Sequence, residues 1–172
     1  QGILELRTKS SQIESLLKQE AIPNCVVAYS LAPHEIAEAV EHKAPPIGQR
    51  LNAIKRLSER GWPIGLRFDP LIFCDNFEQL YQGLFKDVFD VVAAEQIHSI
   101  SFGPMRFPKP MFDSIVKLYP KEPLLAGPLE ARGKMVSYSQ ELEVQMMEFC
   151  RKELGNYVSD SLFFDCMPEP AS

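Results

Sequence analysis

The segment Asn24-Cys25-Val26-Val27-Ala28-Tyr29-Ser30-Leu31 decides how the rest of the chain is interpreted. It is a short, continuous apolar run without polar alternation, which is the pattern of a strand buried on both faces. Further strands are predicted at residues 3–8, 62–68 and 98–102, and a helical pattern follows each of them. Strands that alternate with helices through short connections indicate parallel βα units. The predicted fold class is therefore α/β.

The predicted helices are recognised by apolar residues that recur three to four positions apart. They lie at residues 13–17, 34–40, 47–57, 76–91, 111–118 and 139–154. We expect residues 121–138 to be irregular and Val158–Phe164 to form a short strand after the last helix. Residues 3–120 then make up four βα units and residues 121–172 a C-terminal extension, within a single domain over residues 1–172.

The composition excludes several classes of protein. A chain of 172 residues that is 45% hydrophobic can build a core, unlike a disordered chain. Its apolar stretches are far shorter than the ~20 residues of a membrane-spanning helix, so no membrane association is expected. The net charge of −5 argues against a surface that binds nucleic acid throughout, although it leaves room for a local basic groove. Glycine-rich phosphate-binding motifs and nucleophile motifs are absent from the sequence, which disfavours kinase and hydrolase chemistry.

The cysteines are widely separated. They occur at Cys25, Cys74, Cys150 and Cys166, and none belongs to the closely spaced pattern of a metal site. The first residues contain no basic segment followed by a long apolar run, so no secretory signal is recognised. We therefore expect reduced thiols in a cytoplasmic protein.

Polar residues follow each predicted strand. They are Arg7, Thr8, Lys9 and Ser10 after the first, Ser30 after the second, Asp69 after the third, and Gly103 and Arg106 after the fourth. Because the carboxyl ends of parallel strands meet at one edge of a sheet, these residues are expected to converge on a binding site. Each also has a structural interpretation: Lys9 and Ser10 as a solvated turn with a helix cap, Ser30 as a turn hydroxyl, and Asp69-Pro70 as a strand end.

The order of several motifs resembles the spore photoproduct lyase family of radical S-adenosylmethionine (SAM) enzymes. The resemblance rests on Leu6-Arg7-Thr8-Lys9, Ala28-Tyr29-Ser30, Glu41 nine residues before Arg50-Leu51, and Gly61-Trp62-Pro63-Ile64-Gly65-Leu66-Arg67-Phe68-Asp69-Pro70. It continues through Gly103, Arg106-Phe107, Lys109-Pro110 and Tyr119-Pro120, and so covers most of residues 3–165. The order and spacing of the motifs carry the match together.

The resemblance implies that the chain is the C-terminal half of a partial (βα)6 TIM-like barrel. In this family a CxxxCxxC loop holds a [4Fe-4S] cluster that reduces SAM to a 5′-deoxyadenosyl radical, and the radical reverses a thymine-dimer lesion in DNA. That loop is absent from this sequence. The chain alone is therefore not expected to cleave SAM, since three cysteines in one loop are needed to leave an iron open for the cofactor. The missing N-terminal half of the barrel would supply the cluster.

The resemblance also assigns roles to individual residues. Lys9 would contact the SAM carboxylate, Ser30 the ribose or the amino-acid part, and Asp69 would border the same site. On the substrate side, Arg132, Lys134 and Tyr138 lie in the stretch that corresponds to the DNA-holding segment, although the family's Arg-Tyr pair is missing there. These side chains could meet phosphate and base. The alternative is a solvated turn before the last helix.

A different class of function is also open. Half a barrel has an unpaired sheet edge and uncovered apolar surface. The chain could therefore be a non-catalytic α/β module that binds a partner protein at this edge, and it could associate with itself there.

Overall fold

A computed structural model, which describes residues 2–164, contains a four-stranded parallel sheet. Its strands are Leu4–Thr8 (β1), Cys25–Ser30 (β2), Ile64–Leu71 (β3) and Ile97–Pro104 (β4). They are ordered β1-β2-β3-β4, so each strand pairs with its predecessor along the chain. This order is that of consecutive units of a βα barrel, whereas a doubly wound sheet reverses its order. The α/β class and the parallel βα repeats are confirmed.

Helices connect and cover these strands. They are Glu14–Leu17 (α1), His34–Val40 (α2), Ile47–Glu59 (α3), Phe77–Phe89 (α4), Lys109–Leu118 (α5) and Gln140–Leu154 (α6). β2 is buried along almost its whole length, and Ala28 and Tyr29, whose side chains point to opposite faces, are both 0% exposed. The continuous apolar run at residues 24–31 is thus explained by cover on both sides of the sheet.

The stretch 121–138, which the sequence predicts to be irregular, contains ordered strands instead. Arg106–Pro108 (β5), Leu129–Arg132 (β6) and Met135–Tyr138 (β7) form a second, antiparallel sheet in the order β5-β7-β6. Gly133 lies in the tight turn between β6 and β7 with φ of +59°, a backbone conformation that favours glycine. The C-terminal extension therefore contains a β-hairpin, which follows a short 3-10 helix at Pro123–Ala126.

The predicted strand at Val158–Phe164 is wrong for most of its length. A short 3-10 turn occupies Asp160–Leu162, and only Phe163 makes a single parallel bridge to Ile100 of β4. The ring of Phe163 packs edge-on against Phe102. The apolar residues of this segment therefore cover the β4 edge by packing, without a continued ladder of hydrogen bonds.

The opposite edge of the parallel sheet, at β1, is not covered by any other strand among residues 2–164. Within this range β1 pairs only with β2, and its apolar residues Leu4 and Leu6 are 58% and 38% exposed. No helix within residues 2–164 is long and apolar enough to cross a membrane.

Candidate functional site

A cleft of about 490 Å³ opens at the carboxyl ends of the parallel strands. Lys9, Ser30 and Asp69, which the sequence predicts as site residues, all line it. Lys9 follows β1, Ser30 ends β2 and Asp69 lies near the carboxyl end of β3, and the shared direction of these strands brings them to one edge. The other residues that line the cleft are Leu31, Ala32, Val40, Glu41, Pro70, Ile72, Gly103, Pro104, Met105, Arg106, Phe107 and Leu124. The predicted convergence of Lys9, Ser30 and Asp69 is thus found at one cleft.

Lys9 is held at the cleft by a carboxylate that sequence reasoning did not assign to the site. Its Nζ lies 2.8 Å from Oε1 of Glu41, the residue that ends α2. The Lys9 side chain is 43% exposed, whereas that of Glu41 is 11% exposed. The ammonium is therefore anchored at one side and open to the cleft at another.

Glu41 is in turn bound by Arg50 of α3. Burial opposes ionisation of Glu41, but hydrogen bonds from Arg50 and Lys9 outweigh it and leave the pKa of Glu41 below its ordinary value. Arg50 is 1% exposed and also donates to the carbonyl oxygens of Pro45, at 2.9 Å, and Ser30, at 3.1 Å. A buried guanidinium with this many acceptors is well satisfied. The only signal for this pair in the sequence is the nine-residue spacing between Glu41 and Arg50.

Arg7 compensates the charge of Asp69. Its guanidinium forms an ion pair with the Asp69 carboxylate, and its Nε donates to Oγ of Ser30 over 3.3 Å. The hydroxyl of Ser101 donates to Oδ2 of Asp69 at 2.6 Å. Ser30 and Asp69 are therefore linked to each other through Arg7, and the negative charge of Asp69 is balanced inside the fold. β3 continues past Asp69 to Leu71, so Asp69-Pro70 does not end the strand as predicted.

Ser10 takes part in a turn, as its structural interpretation predicts, and Thr8 contributes to the same turn. Oγ1 of Thr8 accepts from the backbone N–H of Ser10 at 2.8 Å, and Oγ of Ser10 accepts from the N–H of Gln12 at 3.0 Å. These bonds shape the turn between β1 and α1. Ser10 is not the helix cap, because α1 begins later, at Glu14.

A second buried arginine lies in the parallel sheet, and it does not line the cleft. Arg67 of β3 is 2% exposed and donates to both carboxylate oxygens of Glu5, at 2.6 and 3.2 Å, and to the backbone oxygen of Ser99 at 3.0 Å. The hydrogen bond from Arg67 lowers the pKa of Glu5 more than its burial raises it. The guanidinium of Arg67 lies over the ring of Phe164, with its Cζ 4.7 Å from the ring centroid.

The three predicted substrate residues, Arg132, Lys134 and Tyr138, do not lie on one surface. Arg132 and Lys134 are exposed at the turn of the β6–β7 hairpin, and Arg132 is paired with Glu143 at 2.5 Å. Tyr138 is only 1% exposed, and its hydroxyl accepts from the N–H of Phe73 at 3.0 Å. The expectation that Tyr138 contacts substrate is therefore corrected. The last residues of β7 are all buried, and the ring of Tyr138 packs into the core.

The described cysteines do not fit an iron–sulfur cluster. Cys25 and Cys150 are buried and Cys74 is half-buried, while Cys166 lies outside the described residues. Across residues 2–164, no three His, Cys, Asp or Glu side chains are grouped to hold a metal ion. The cleft does fit the carboxylate of a bound amino acid or nucleoside conjugate, because Lys9 offers a partly exposed ammonium there.

Comparison with known proteins gives a consistent result. The family model described as spore photoproduct lyase matches residues 1–163. A curated relative, the spore photoproduct lyase of Bacillus subtilis (strain 168), is 26% identical over 139 residues, which cover 80% of this chain and 41% of the relative. The chain thus spans less than half the length of that relative.

Solved structures share the fold. A spore photoproduct lyase double mutant with bound AdoMet and dinucleoside spore photoproduct is 20% identical, with a TM-score of 0.74. Spore photoproduct lyase complexed with dinucleoside spore photoproduct gives the same identity and TM-score. Each match covers 95% of this chain and 50% of the solved chain. The four βα units and the C-terminal helix therefore correspond to about half of a larger fold.

Proposed function

The chain belongs to the spore photoproduct lyase family, and we propose that it forms the C-terminal half of the barrel of a radical SAM enzyme that reverses a thymine-dimer lesion in DNA. The family match disfavours the alternative of a non-catalytic protein-binding module. This role places the protein in the cytoplasm, together with the DNA. The chain's own part in the reaction is to bind and orient SAM and the lesion.

The convergence of Lys9, Ser30 and Asp69 on one cleft is the observation that carries this proposal. Lys9 binds the SAM carboxylate through its ammonium, a charge-assisted contact. Ser30 binds the ribose or the amino-acid part, and its hydroxyl is oriented by Arg7. Asp69 borders the same ligand without adding an uncompensated charge, since Arg7 neutralises it. When bound beside a cluster, SAM supplies the hydrogen-abstracting chemistry of the family.

The [4Fe-4S] cluster belongs to the preceding half of the barrel in this proposal. That half joins the sheet at β1, whose Leu4 and Leu6 are exposed. An uncovered edge strand offers unpaired backbone groups and apolar surface to any available partner. A preparation that lacks the preceding half would therefore associate with itself through this edge.

DNA is the proposed macromolecular partner, and the hairpin turn between β6 and β7 faces it. Arg132 and Lys134 are exposed there and can contact phosphates. Arg132 is already paired with Glu143, so Lys134 is the cation more available to DNA. Tyr138 supports this hairpin from inside the fold.

The test of the proposed function is reconstitution of the full polypeptide that includes this chain with iron and sulfide under anaerobic conditions. We expect production of 5′-deoxyadenosine, and a drop of about tenfold or more in SAM affinity on Lys9→Met, because a hydrogen bond to a charged group is lost. Lys55→Met is the matched control, since Lys55 is exposed on α3 outside the cleft. A protein that takes up the cluster but never forms 5′-deoxyadenosine would contradict the catalytic proposal.

A further inference from the structure

We propose that Arg50 and Glu41 are positioning residues that hold the Lys9 ammonium and the end of β2 in the geometry needed to bind the cofactor's carboxylate. This inference rests on the proposed function, because it assigns that carboxylate to Lys9. The family resemblance assigns neither Arg50 nor Glu41 to the ligand. Their role would be to act through Lys9 and Ser30.

The contacts form a chain that starts at a buried group and ends in the cleft. Arg50 is 1% exposed and donates to the backbone oxygen of Ser30 at 3.1 Å. Arg50 also pairs with Glu41, and Glu41 Oε1 lies 2.8 Å from Nζ of Lys9. One rigid guanidinium therefore fixes the positions of two residues that line the cleft from neighbouring strands.

The charges in this chain favour an anionic ligand. Arg50 and Lys9 are cations and Glu41 is an anion, so the three groups together carry one positive charge. Lys9 has three N–H donors and Glu41 Oε1 accepts one of them, which leaves donors for a ligand. Without Glu41 the long lysine side chain would have to be ordered by the ligand itself, at a cost in binding affinity. Glu41 therefore preorganises the cation without consuming its charge.

Stability alone is a weak reason for such a buried ion pair, since well-packed apolar side chains are often as stabilising. The parallel sheet contains a second ion pair that serves as a comparison. Arg67 and Glu5 form another ion pair between a buried arginine and a partly exposed glutamate, yet neither lines the cleft. A role in ligand positioning predicts different behaviour for the two pairs, whereas a purely structural role predicts similar behaviour.

The experiment measures dissociation constants for SAM and for decarboxylated SAM in the reconstituted full polypeptide. We expect Glu41→Gln to weaken SAM binding about tenfold or more, as Lys9→Met does, because the charged hydrogen bond is no longer correctly aimed. Binding of decarboxylated SAM should change less than twofold in both variants. Glu5→Gln is the matched control and should leave both constants near the wild-type values.

A second variant protects the test against misfolding. Glu41→Gln leaves the buried Arg50 charge without its carboxylate, which can destabilise the protein. Glu41→Gln combined with Arg50→Met removes both charges and keeps Lys9. It should show the same selective loss of SAM affinity, and circular dichroism verifies that each variant is folded.

The outcomes separate this inference from the proposed function. If Lys9→Met loses SAM affinity selectively but both Glu41 variants bind SAM like the wild type, the inference is wrong and the proposed function stands. Equal weakening of both ligands by the Glu41 variants would also overturn it, since that is a general structural effect. If the wild-type protein shows no preference for SAM over decarboxylated SAM, the carboxylate assignment itself fails.

Discussion

Replacement of Gly65 by alanine should destabilise the parallel sheet. A Cβ at this position in β3 would lie 2.9 Å from Cβ of Ala28, 2.9 Å from Nη2 of Arg67 and 3.1 Å from Cγ1 of Val26. Ala28 and Val26 are buried in β2, and Arg67 is held by Glu5, so none of these groups can move away freely. Overpacking of this kind costs about 1–3 kcal/mol of unfolding free energy. For a chain of this length each kcal/mol lowers the melting temperature by about 2–4 °C.

Thermal unfolding followed by circular dichroism measures this effect, and Gly83→Ala provides the control. Gly83 lies on the exposed side of α4, where an added Cβ would meet no heavy atom within 4 Å. Alanine there should stabilise the protein by about 0.4–1 kcal/mol, because it reduces the freedom of the unfolded chain. If Gly65→Ala melts at the wild-type temperature or above it, β2 and β3 do not pack closely enough at this position to exclude a Cβ.

Three further predictions concern acid stability, DNA binding by the hairpin and the buried Tyr138. Arg67 lowers the folded-state pKa of Glu5, so this pair contributes stability above the ordinary glutamate pKa of about 4.3 that is lost as the pH falls through the lower folded value. Urea unfolding over this pH range should therefore show a shallower acid loss in Glu5→Gln, and equal slopes would contradict the reasoning. Lys134→Ala should weaken DNA binding and reduce its salt slope by about one, whereas Tyr138→Phe should cost about 1–3 kcal/mol of stability by leaving the Phe73 N–H unpaired. A fluorescence titration in which Tyr138→Phe impairs DNA binding more than Lys134→Ala would reverse these roles.

The parallel sheet could be predicted largely because its two central strands, β2 and β3, are buried on both faces. Residues 24–31 form a continuous apolar run and residues 62–68 a largely apolar one, and the observed strands Cys25–Ser30 and Ile64–Leu71 lie within a few residues of them. The second sheet could not be found in this way. Its strands have only three or four residues, so they are too short for alternation to be recognised, although Gly133 between two charged residues is a turn signal.

The last predicted strand failed for a related reason. Val158, Leu162, Phe163 and Phe164 form an apolar pattern that is compatible with a strand. Ser159 interrupts it, because its hydroxyl accepts from the N–H of Ser161 and begins a 3-10 turn. Phe163 is partly buried against β4, so it is removed from water without forming the hydrogen-bond ladder of a strand. An apolar pattern alone does not distinguish a strand from a 3-10 turn that packs against the sheet.

The site was predictable to the extent that it depends on strand direction. Lys9, Ser30 and Asp69 lie at or near the carboxyl ends of parallel strands, and parallel strands bring such residues to one edge. The ion pairs that anchor them depend on tertiary contacts. Glu41 reaches Lys9 because the end of α2 lies beside the end of β1, and no local pattern records that approach. The role of Arg7 opposite Asp69, across three strands, is hidden from sequence in the same way.

The two edges of the parallel sheet determine where the rest of a barrel can join. Phe163 makes one bridge to Ile100 and packs on Phe102, so part of the β4 edge is covered, whereas the β1 edge exposes Leu4 and Leu6. In the proposed enzyme the cluster-bearing half therefore adds to β1. Lys9 directly follows β1 and thus lies at the seam between the two halves. A cation placed at this seam can hold the carboxylate end of a ligand where both halves meet, which is how, in the proposed enzyme, this half of the barrel would contribute to the cofactor site.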